Sequence, residues 1–155
     1  CEVETKTDAK PWGWNSDYWR DLGAPWGGMM STAYDLSIFL RHLLTINAGE
    51  SGVLHPNLLQ AMTSNQLERL PHIDPAIARS TPWGLGWQLN WPSHPRGFGC
   101  MLPPTAYGHW GATGTLLWVD PDSELYGVVL TSAPISLEDR PPLSYSNILR
   151  AGWSK

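Results

Sequence analysis

Two apolar runs joined by a short polar turn set the strongest constraint on how this chain can fold. Residues 115–119 read Thr-Leu-Leu-Trp-Val and residues 125–131 read Leu-Tyr-Gly-Val-Val-Leu-Thr, and both are rich in the branched and aromatic side chains that favour strands. Asp-Pro-Asp-Ser-Glu at 120–124 is typical of a turn. Because apolar residues follow one another directly, both faces of this hairpin need cover. The sequence therefore predicts an α+β fold, with helices flanking an antiparallel sheet.

The longest helix is predicted from periodicity and from the residues at its ends. Leucine and phenylalanine side chains recur at helical spacing over residues 36–44, which lays an apolar stripe along about three turns. Thr32 is a candidate N-cap, since Asp35 follows three residues later. Asn-Ala-Gly at 47–49 supplies a stop. This helix is expected to pack its stripe against the sheet.

Two shorter helices are expected around proline and near the end of the chain. One should begin at Pro56, which suits the first turn of a helix, and should turn three side chains inward, those of Leu58, Leu59 and Met62. The other is predicted over residues 147–153. A loose alternation over residues 83–91 indicates a further strand.

Three stretches rich in proline, glycine and polar residues are predicted to be irregular. Residues 1–30 form an entry segment, and residues 64–82 and 90–104 form loops. The last loop precedes the strand that carries His109, so it is placed to form one wall of a cleft, with Trp91 and Phe98 as substrate contacts. Equally, it can be a surface loop capped by its own aromatic side chains.

Glycines recur every three residues on either side of His109, at positions 108, 111 and 114. Glycines leave room for a ligand to lie against the backbone, and His109 would project from a strand whose neighbours cannot shield it. The alternative is a glycine-rich bend before a hairpin, with His109 as an ordinary polar surface residue.

Composition indicates one globular unit and excludes two classes of partner. The chain has 155 residues, of which 42% are hydrophobic, enough to form a single core, so residues 1–155 are treated as one domain. A formal net charge of −4 without a lysine or arginine cluster argues against nucleic acid and anionic membranes. No apolar stretch reaches the roughly 20 residues that span a bilayer. The five histidines do not fall at metal-ligand spacing, and neither a metal nor another cofactor is predicted.

The two cysteines, Cys1 and Cys100, leave more than one chemistry open. They could form a disulfide in an exported protein, but a chain with a good apolar core does not require one, and two free thiols are the favoured prediction. Cys1 could also act as a nucleophile that uses its own amino group as the base.

Three segments occur in an order that resembles part of a known hydrolase family. The segment at 26–36 reads Trp-Gly-Gly-Met-Met-Ser-Thr-Ala-Tyr-Asp-Leu, followed by Trp-Gly-Leu-Gly-Trp at 83–87 and His-Trp-Gly at 109–111. Over roughly residues 24–131 they resemble the serine beta-lactamases and penicillin-binding-protein-like hydrolases, in the class C and esterase branch. The resemblance implies the C-terminal portion of a beta-lactamase/transpeptidase-like fold, and a periplasmic or other extracytoplasmic location if the protein is typical of the family.

The resemblance also implies which residues face a substrate. In that family a Lys-Thr-Gly or His-x-Gly triplet lies beside the nucleophile, so His109, Trp110 and Gly111 would form this motif. His109 would shape the electrostatics there or bind the substrate, and the backbone N–H of Ala112 would supply one oxyanion-hole donor. Trp110 stands where penicillin-recognising members carry a small hydroxyl residue, and histidine is mostly neutral near pH 7. Both departures favour a small ester or amide substrate over a beta-lactam.

The family's nucleophile motif, Ser-x-x-Lys, is missing from the chain. None of the three lysines, Lys6, Lys10 and Lys155, lies three residues after a serine. The one Tyr-x-Asn, at 145–147, follows the His109 strand, whereas the family's second motif precedes it. The resemblance therefore predicts a partial domain that is inactive alone and that completes an acyl-transfer site with a missing N-terminal portion of the same domain.

Two other functions remain compatible with the sequence. Tryptophan is unusually frequent, with ten residues, and a non-catalytic module could stack sugar rings or a proline-rich peptide on several of them. The candidates are Trp83, Trp87, Trp91, Trp110 and Trp118, the first three on one face of a strand. The chain could also belong to an inactive relative that keeps the hydrolase fold as a scaffold.

Overall fold

The sheet is a four-stranded antiparallel meander. The computed structural model describes residues 2–3, 11–91, 98–134 and 141–153. Its elements are α1 (Asp17–Leu22), α2 (Ala33–Asn47), α3 (Pro56–Met62), a 3₁₀ turn (Leu67–Arg69), α4 (Pro75–Ser80), β1 (Gln88–Leu89), β2 (Tyr107–Gly111), β3 (Thr115–Asp120), β4 (Leu125–Leu130) and α5 (Pro141–Ala151). The strands lie in the order β1-β2-β3-β4, and all neighbours are antiparallel. The α+β prediction is confirmed.

Helix α2 begins where its capping residues predict. The Thr32 hydroxyl accepts a bond from the Asp35 N–H at 3.1 Å and donates to the Asp35 carboxylate at 2.8 Å. This satisfies one of the four backbone donors that a helix start leaves unpaired. The buried side chains are those of Leu36, Leu40, Leu43 and Ile46, so most of the predicted stripe faces the sheet. Phe39, predicted to lie in the stripe, is instead 41% exposed at its edge.

Helix α3 begins at Pro56 as predicted, but one of the three residues predicted to face inward is exposed. Leu59 is buried and Met62 packs against the core, whereas Leu58 is 45% exposed. Positions 59 and 62 share a face of the helix, and position 58 is rotated by about 100° from position 59. A helix this short buries one narrow face.

Two short helices lie in stretches predicted to be irregular, so those predictions are wrong in part. The Ser16 hydroxyl caps α1, and Gly23, with φ 57°, ends it. Asp74 caps α4 by accepting from the Ala76 N–H at 2.7 Å. Each helix has six residues, too few to show an apolar period, and only the caps could have revealed them.

The ends of the sheet region differ from prediction in two further places. The strand predicted over residues 83–91 is reduced to Gln88–Leu89, because a turn with Gly86 at φ 80° occupies its first half. Helix α5 starts at Pro141, earlier than the predicted residue 147, since proline is accommodated in the first turn of a helix.

Apolar side chains cover both faces of the sheet, as predicted. The first cluster joins α2 and α3 to one face: Leu40, Leu43, Ile46, Leu59, Trp87, Leu89, Tyr107 and Val119. The second cluster lies on the other face: Phe98, Leu102, Ala106, Leu116, Trp118 and Val129. Helix α2 covers the first face, but the segment 98–106, made of turns and bends, supplies half of the second cluster.

Trp118 sits between two glycines on the neighbouring strands. It pairs with Gly108 on β2 and with Gly127 on β4, and it is 2% exposed. A Cβ atom at position 127 would lie 2.5 Å from Cζ2 of the indole, and one at position 108 would lie 2.8 Å from the Trp118 Cα. Real atoms do not approach so closely, so both glycines are required by packing.

A buried carboxylate fastens α5 to the turn between β3 and β4. Asp120 is fully buried, and its Oδ1 accepts from the N–H groups of Asp122 and Ser123 at 3.2 and 3.3 Å. Its Oδ2 faces the Arg150 Nε at 3.6 Å, and the same guanidinium donates to the Ser123 hydroxyl at 3.0 Å. The predicted turn therefore also anchors the last helix.

No helix among the described residues is long and apolar enough to cross a membrane. Cys100 is an exposed free thiol. Cys1, Lys6, Lys10 and Lys155 lie outside the described residues.

Stability should fall at high pH because of one buried phenol. Burial raises the pKa of Tyr107 from 10.0 to about 12, against a smaller opposing effect of the hydrogen bond from the Asn47 amide. A raised folded-state pKa means that the contribution is complete below pH 10 and is lost as the pH rises from 10 to 12. At 1.36 kcal/mol per pKa unit, roughly 2–3 kcal/mol of unfolding free energy should disappear. Urea unfolding at pH 9 and pH 12 measures this loss.

The matched control is Tyr107→Phe, which removes the ionisable hydroxyl and keeps the ring. This variant should lose less unfolding free energy between the two pH values than the parent chain. Equal losses in both proteins would contradict the assignment to Tyr107.

Candidate active site

His109 is the middle residue of β2 and is exposed. Tyr107 lies two residues earlier on the same face of the strand and is 1% exposed, whereas His109 is exposed. The His109 Nδ1 lies 2.6 Å from the carbonyl oxygen of Trp110. A carbonyl oxygen can only accept, so Nδ1 carries the proton, and in the neutral ring Nε2 keeps its lone pair. His109 therefore presents a hydrogen-bond acceptor at an accessible edge.

Aromatic rings flank the imidazole. The Trp83 ring meets it edge to face at 5.4 Å between centroids, and the Trp110 ring lies at 6.2 Å. Trp83 is held by its carbonyl, which accepts from the Gln66 N–H at 2.7 Å. A Cβ at the next residue, Gly84, would collide with the Met62 carbonyl. The turn is thus pressed against the end of α3, and it fixes Trp83 beside His109.

The turn after β2 presents a backbone donor. The Gly114 N–H donates to the Gly111 carbonyl at 3.0 Å, and Thr131 binds the Gly114 carbonyl through both its N–H, at 3.2 Å, and its hydroxyl, at 2.7 Å. Ala112 is exposed in this turn. No group among the described residues accepts from its N–H. A fixed backbone donor next to a histidine suits the binding of a carbonyl oxygen.

Packing, rather than ligand access, explains why glycines occur around His109. Gly108 and Gly114 are buried. Gly108 makes room for β3, and Gly114, at φ 89°, would place a Cβ against Thr131 and Ala133. The prediction that a ligand lies against these two glycines is therefore wrong. Gly111 is half-buried, and the Thr115 hydroxyl fills the space that its side chain would take.

The predicted substrate contacts are not all brought to His109. Trp110 lies beside the imidazole, with ring centroids 6.2 Å apart, but it is half-buried and also packs against the second cluster. Phe98 is fully buried in that cluster, so its ring serves the core.

Trp91 lies at the other end of β2. The Asn90 N–H donates to the Ala106 carbonyl, which puts residue 91 roughly 13 Å from His109 along the strand, at about 3.3 Å per residue. There it lines a cavity of about 320 Å³ that Arg79 and Pro104 also border. The antiparallel pairing of β1 with β2 carries the chain after β1 away from the His109 end.

The tryptophans do not share one stacking surface. Trp87 is 8% exposed in the first cluster, and Trp118 is 2% exposed in the second, on the opposite face. The alternation predicted for Trp83, Trp87 and Trp91 fails because Gly86 breaks the strand. The geometry gives no support to a sugar-binding or peptide-binding face built from these rings.

Two further findings concern metal binding and the contact between Trp83 and His109. No group of three or more histidine, cysteine, aspartate or glutamate residues that could hold a metal occurs in the described ranges. The sequence pattern places Trp83 only in a stacking surface and does not predict its contact with His109. The signal was the turn sequence Trp-Gly-Leu-Gly-Trp at 83–87, in which two glycines indicate reversal of the chain rather than a continuous strand.

Comparison with known proteins gives a consistent result. The Beta-lactamase family model matches residues 2–151. A protein of Salmonella gallinarum named "Putative D-alanyl-D-alanine carboxypeptidase" is 31% identical over 129 residues, which is 81% of this chain and 28% of that protein. A protein of the same name from Salmonella enteritidis PT4 matches with the same identity and shares.

Among solved structures, a beta-lactamase from Mycobacterium bovis matches with a TM-score of 0.61 and 25% sequence identity. The match covers 79% of this chain and 44% of that one. The chain thus spans about 28% of the length of the curated relatives that it matches.

Proposed function

Because this chain belongs to the beta-lactamase family, we propose that it is the C-terminal portion of a serine hydrolase and forms the active-site wall opposite the nucleophile. The observation that carries the proposal is His109, exposed on β2 with its Nδ1 2.6 Å from the Trp110 carbonyl oxygen; a proton on Nδ1 would leave Nε2 to accept. The chain carries no Ser-x-x-Lys and spans 28% of its curated relatives. The nucleophile is assigned to a preceding portion of the same domain.

The proposed reaction is acyl transfer through a covalent intermediate. The serine oxygen attacks the carbonyl carbon of an ester or amide, and an upstream lysine and tyrosine take up its proton. The bond to the alcohol or amine then breaks, and the departing group receives a proton. Water attacks the resulting acyl-serine, which releases the acid and restores the hydroxyl. Without the serine this chain is inactive, so residues 1–155 alone should show no turnover.

Two groups of this chain act in that reaction. The Ala112 N–H donates to the carbonyl oxygen as negative charge develops on it. Neutral His109 accepts a hydrogen bond at Nε2 from the tyrosine hydroxyl, and the protonated ring instead donates from Nε2 to a substrate carboxylate. Trp83, whose ring meets His109 edge to face, keeps bulk water from one side of the imidazole.

An ester or a peptide fits this wall better than a beta-lactam. The relatives' name, D-alanyl-D-alanine carboxypeptidase, supports a peptide ending in D-alanine as the first substrate to test. Trp110 offers no hydroxyl at the position where penicillin-recognising members have one. The test compares kcat/KM of the longer protein for a D-alanyl-D-alanine peptide, a p-nitrophenyl ester and nitrocefin. Nitrocefin turnover that rivals the other two would overturn this preference.

Replacing His109 should reduce activity through the loss of its Nε2 contact. His109→Ala in the longer protein should lower kcat/KM by about 10-fold to 100-fold, because a hydrogen bond to a charged group contributes roughly 1.5–3 kcal/mol. His109→Gln, whose amide reaches the Nε2 position, should recover part of the loss, whereas His109→Asn, whose amide matches Nδ1, should not.

Steady-state kinetics on the D-alanyl-D-alanine peptide, which carries a terminal carboxylate, measures all three variants. His72, which is exposed in a turn before α4, provides the control: His72→Ala should keep the parent kcat/KM. If His109→Ala were as active as His72→Ala, His109 would have no part in the reaction.

A further inference from the structure

An apolar surface precedes α2 and continues onto the helix, and we call it the α2 entry surface. Its members are Trp26, Met29, Met30, Tyr34, Ile38 and Phe39, which are 77%, 75%, 71%, 73%, 42% and 41% exposed. No charged residue occurs between Asp21 and Asp35. Exposed apolar patches of this kind mark contact surfaces in soluble proteins.

Helix α2 has a second apolar face in its first turns. The buried stripe holds Leu36, Leu40 and Leu43, and it points at the sheet. Tyr34 and Ile38, four residues apart, share the opposite face of the helix. That outer face is normally polar when a helix packs on one side only. The first turns of α2 therefore have the pattern of a helix that is covered on both sides.

The surface is held in place by its own backbone. The N–H groups of Gly27 and Gly28 both donate to the Ala24 carbonyl, at 3.1 and 2.6 Å, and a Cβ at Gly28 would lie 2.6 Å from the Ala24 nitrogen. This tight turn displays Trp26 at its tip. The Thr32 cap then fixes the direction of α2. An ordered apolar surface loses little conformational entropy when another element covers it.

The surface lies on the side of the sheet that bears His109. Phe39 stacks on Trp87, with ring centroids 6.4 Å apart. Trp87 in turn meets Tyr107 at 5.4 Å, and Tyr107 shares a strand face with His109. An element that packs on the α2 entry surface therefore lies next to the row of rings Phe39, Trp87 and Tyr107, which leads to His109.

We propose that the α2 entry surface is the seam against which the preceding portion of the same domain packs. The inference rests on the proposed function, and it deepens it by locating the contact. The match covers 44% of the solved beta-lactamase chain and 28% of the curated relatives, so most of the complete fold lies outside these residues. Packing at this seam holds the nucleophile-bearing portion on the His109 side of the sheet.

Methionine oxidation tests the seam directly. Two proteins are treated with hydrogen peroxide: residues 1–155, and the longer product read in frame upstream of residue 1. Peptide mass spectrometry gives the oxidation rate of each methionine. Met29 and Met30 should oxidise at least about 10-fold more slowly in the longer product. Met101, which is 49% exposed and whose N–H binds Asn147 of α5, is the internal control and should change less than about twofold.

Three outcomes would overturn the proposal. One is equal oxidation of Met29 and Met30 in both proteins. Another is protection that grows with concentration in residues 1–155 alone, which would make a second copy of this chain the occupant. The third is a reading frame that begins at or just before residue 1, which leaves no preceding portion.

The failure of the seam can be told apart from the failure of the proposed function. The longer product is also treated with a fluorophosphonate, which labels an activated serine. Label together with unprotected Met29 and Met30 would reject the seam and keep the hydrolase. Protection without label would support the seam and reject the serine mechanism.

Discussion

Replacing Ala112 by proline should lower kcat of the longer hydrolase about 100-fold. Loss of one oxyanion-hole donor raises the barrier by roughly 3 kcal/mol, and proline lacks the N–H that we assign to this role. Ala112 is exposed in the turn after β2, so the change removes a donor without removing a buried side chain. Steady-state kinetics on an ester substrate gives kcat and KM for this variant.

The control keeps the donor and changes the side chain. Ala112→Gly retains the N–H and should remain within about threefold of the parent kcat. Circular dichroism and urea unfolding should show that both variants are folded. Parent-like turnover by Ala112→Pro would remove Ala112 from the oxyanion hole and leave only His109 as the contribution of this wall.

Replacing Gly127 by alanine should destabilise the chain by roughly 3 kcal/mol. Overpacking a tight core costs about 1–3 kcal/mol and occasionally more, and here the new Cβ would lie 2.5 Å from Cζ2 of a fully buried indole. Trp118 has little room to move, because its side chain is 2% exposed and packed in the second cluster. Urea unfolding of residues 1–155 measures the change.

Gly27→Ala is the matched control, since the nearest atom to its new Cβ is Cζ2 of Trp19 at 3.8 Å, an ordinary contact. It should alter the unfolding free energy by less than about 0.5 kcal/mol. Trp118→Leu should lessen the effect of Gly127→Ala in the double variant, since the smaller side chain relieves the overlap. Additive losses in the double variant would show that Gly127 and Trp118 are not in conflict.

Local patterns predicted the elements that are long enough to repeat. Helix α2 holds several apolar residues at a regular period, the hairpin of β3 and β4 holds two continuous apolar runs, and Thr32 and the turn at 120–124 mark their ends. Helices α1 and α4 have no such period, because six residues make fewer than two turns. Their caps, Ser16 and Asp74, are single-residue signals that occur equally often in loops.

The candidate site was harder to predict because it depends on register between strands. The exposure of His109 does not follow from its position, since it is the middle residue of β2 and shares a strand face with the buried Tyr107. Which residues surround it depends on β1, whose pairing places Leu89 opposite Tyr107 and sends Trp91 away from the histidine. Nothing in the spacing of residues 83–91 shows where a two-residue strand begins. The same register brings Trp83 to His109 through the turn at Gly86, which the alternating pattern of residues 83–91 does not predict.

Gly108, Trp118 and Gly127 are neighbours across β2, β3 and β4, and they link the packing on one face of the sheet to the position of β2. The backbone of β3 closes over Gly108, one residue before His109, since a Cβ there would meet the Leu117 carbonyl and the Trp118 Cα. The indole of the same Trp118 lies against Gly127 on β4 and belongs to the far layer with Phe98, Leu102 and Val129. We therefore expect a change of volume in that layer to shift β3 and, through Gly108, the strand that carries the imidazole. Directed evolution for faster turnover should therefore enrich substitutions around Trp118, at positions that no substrate touches.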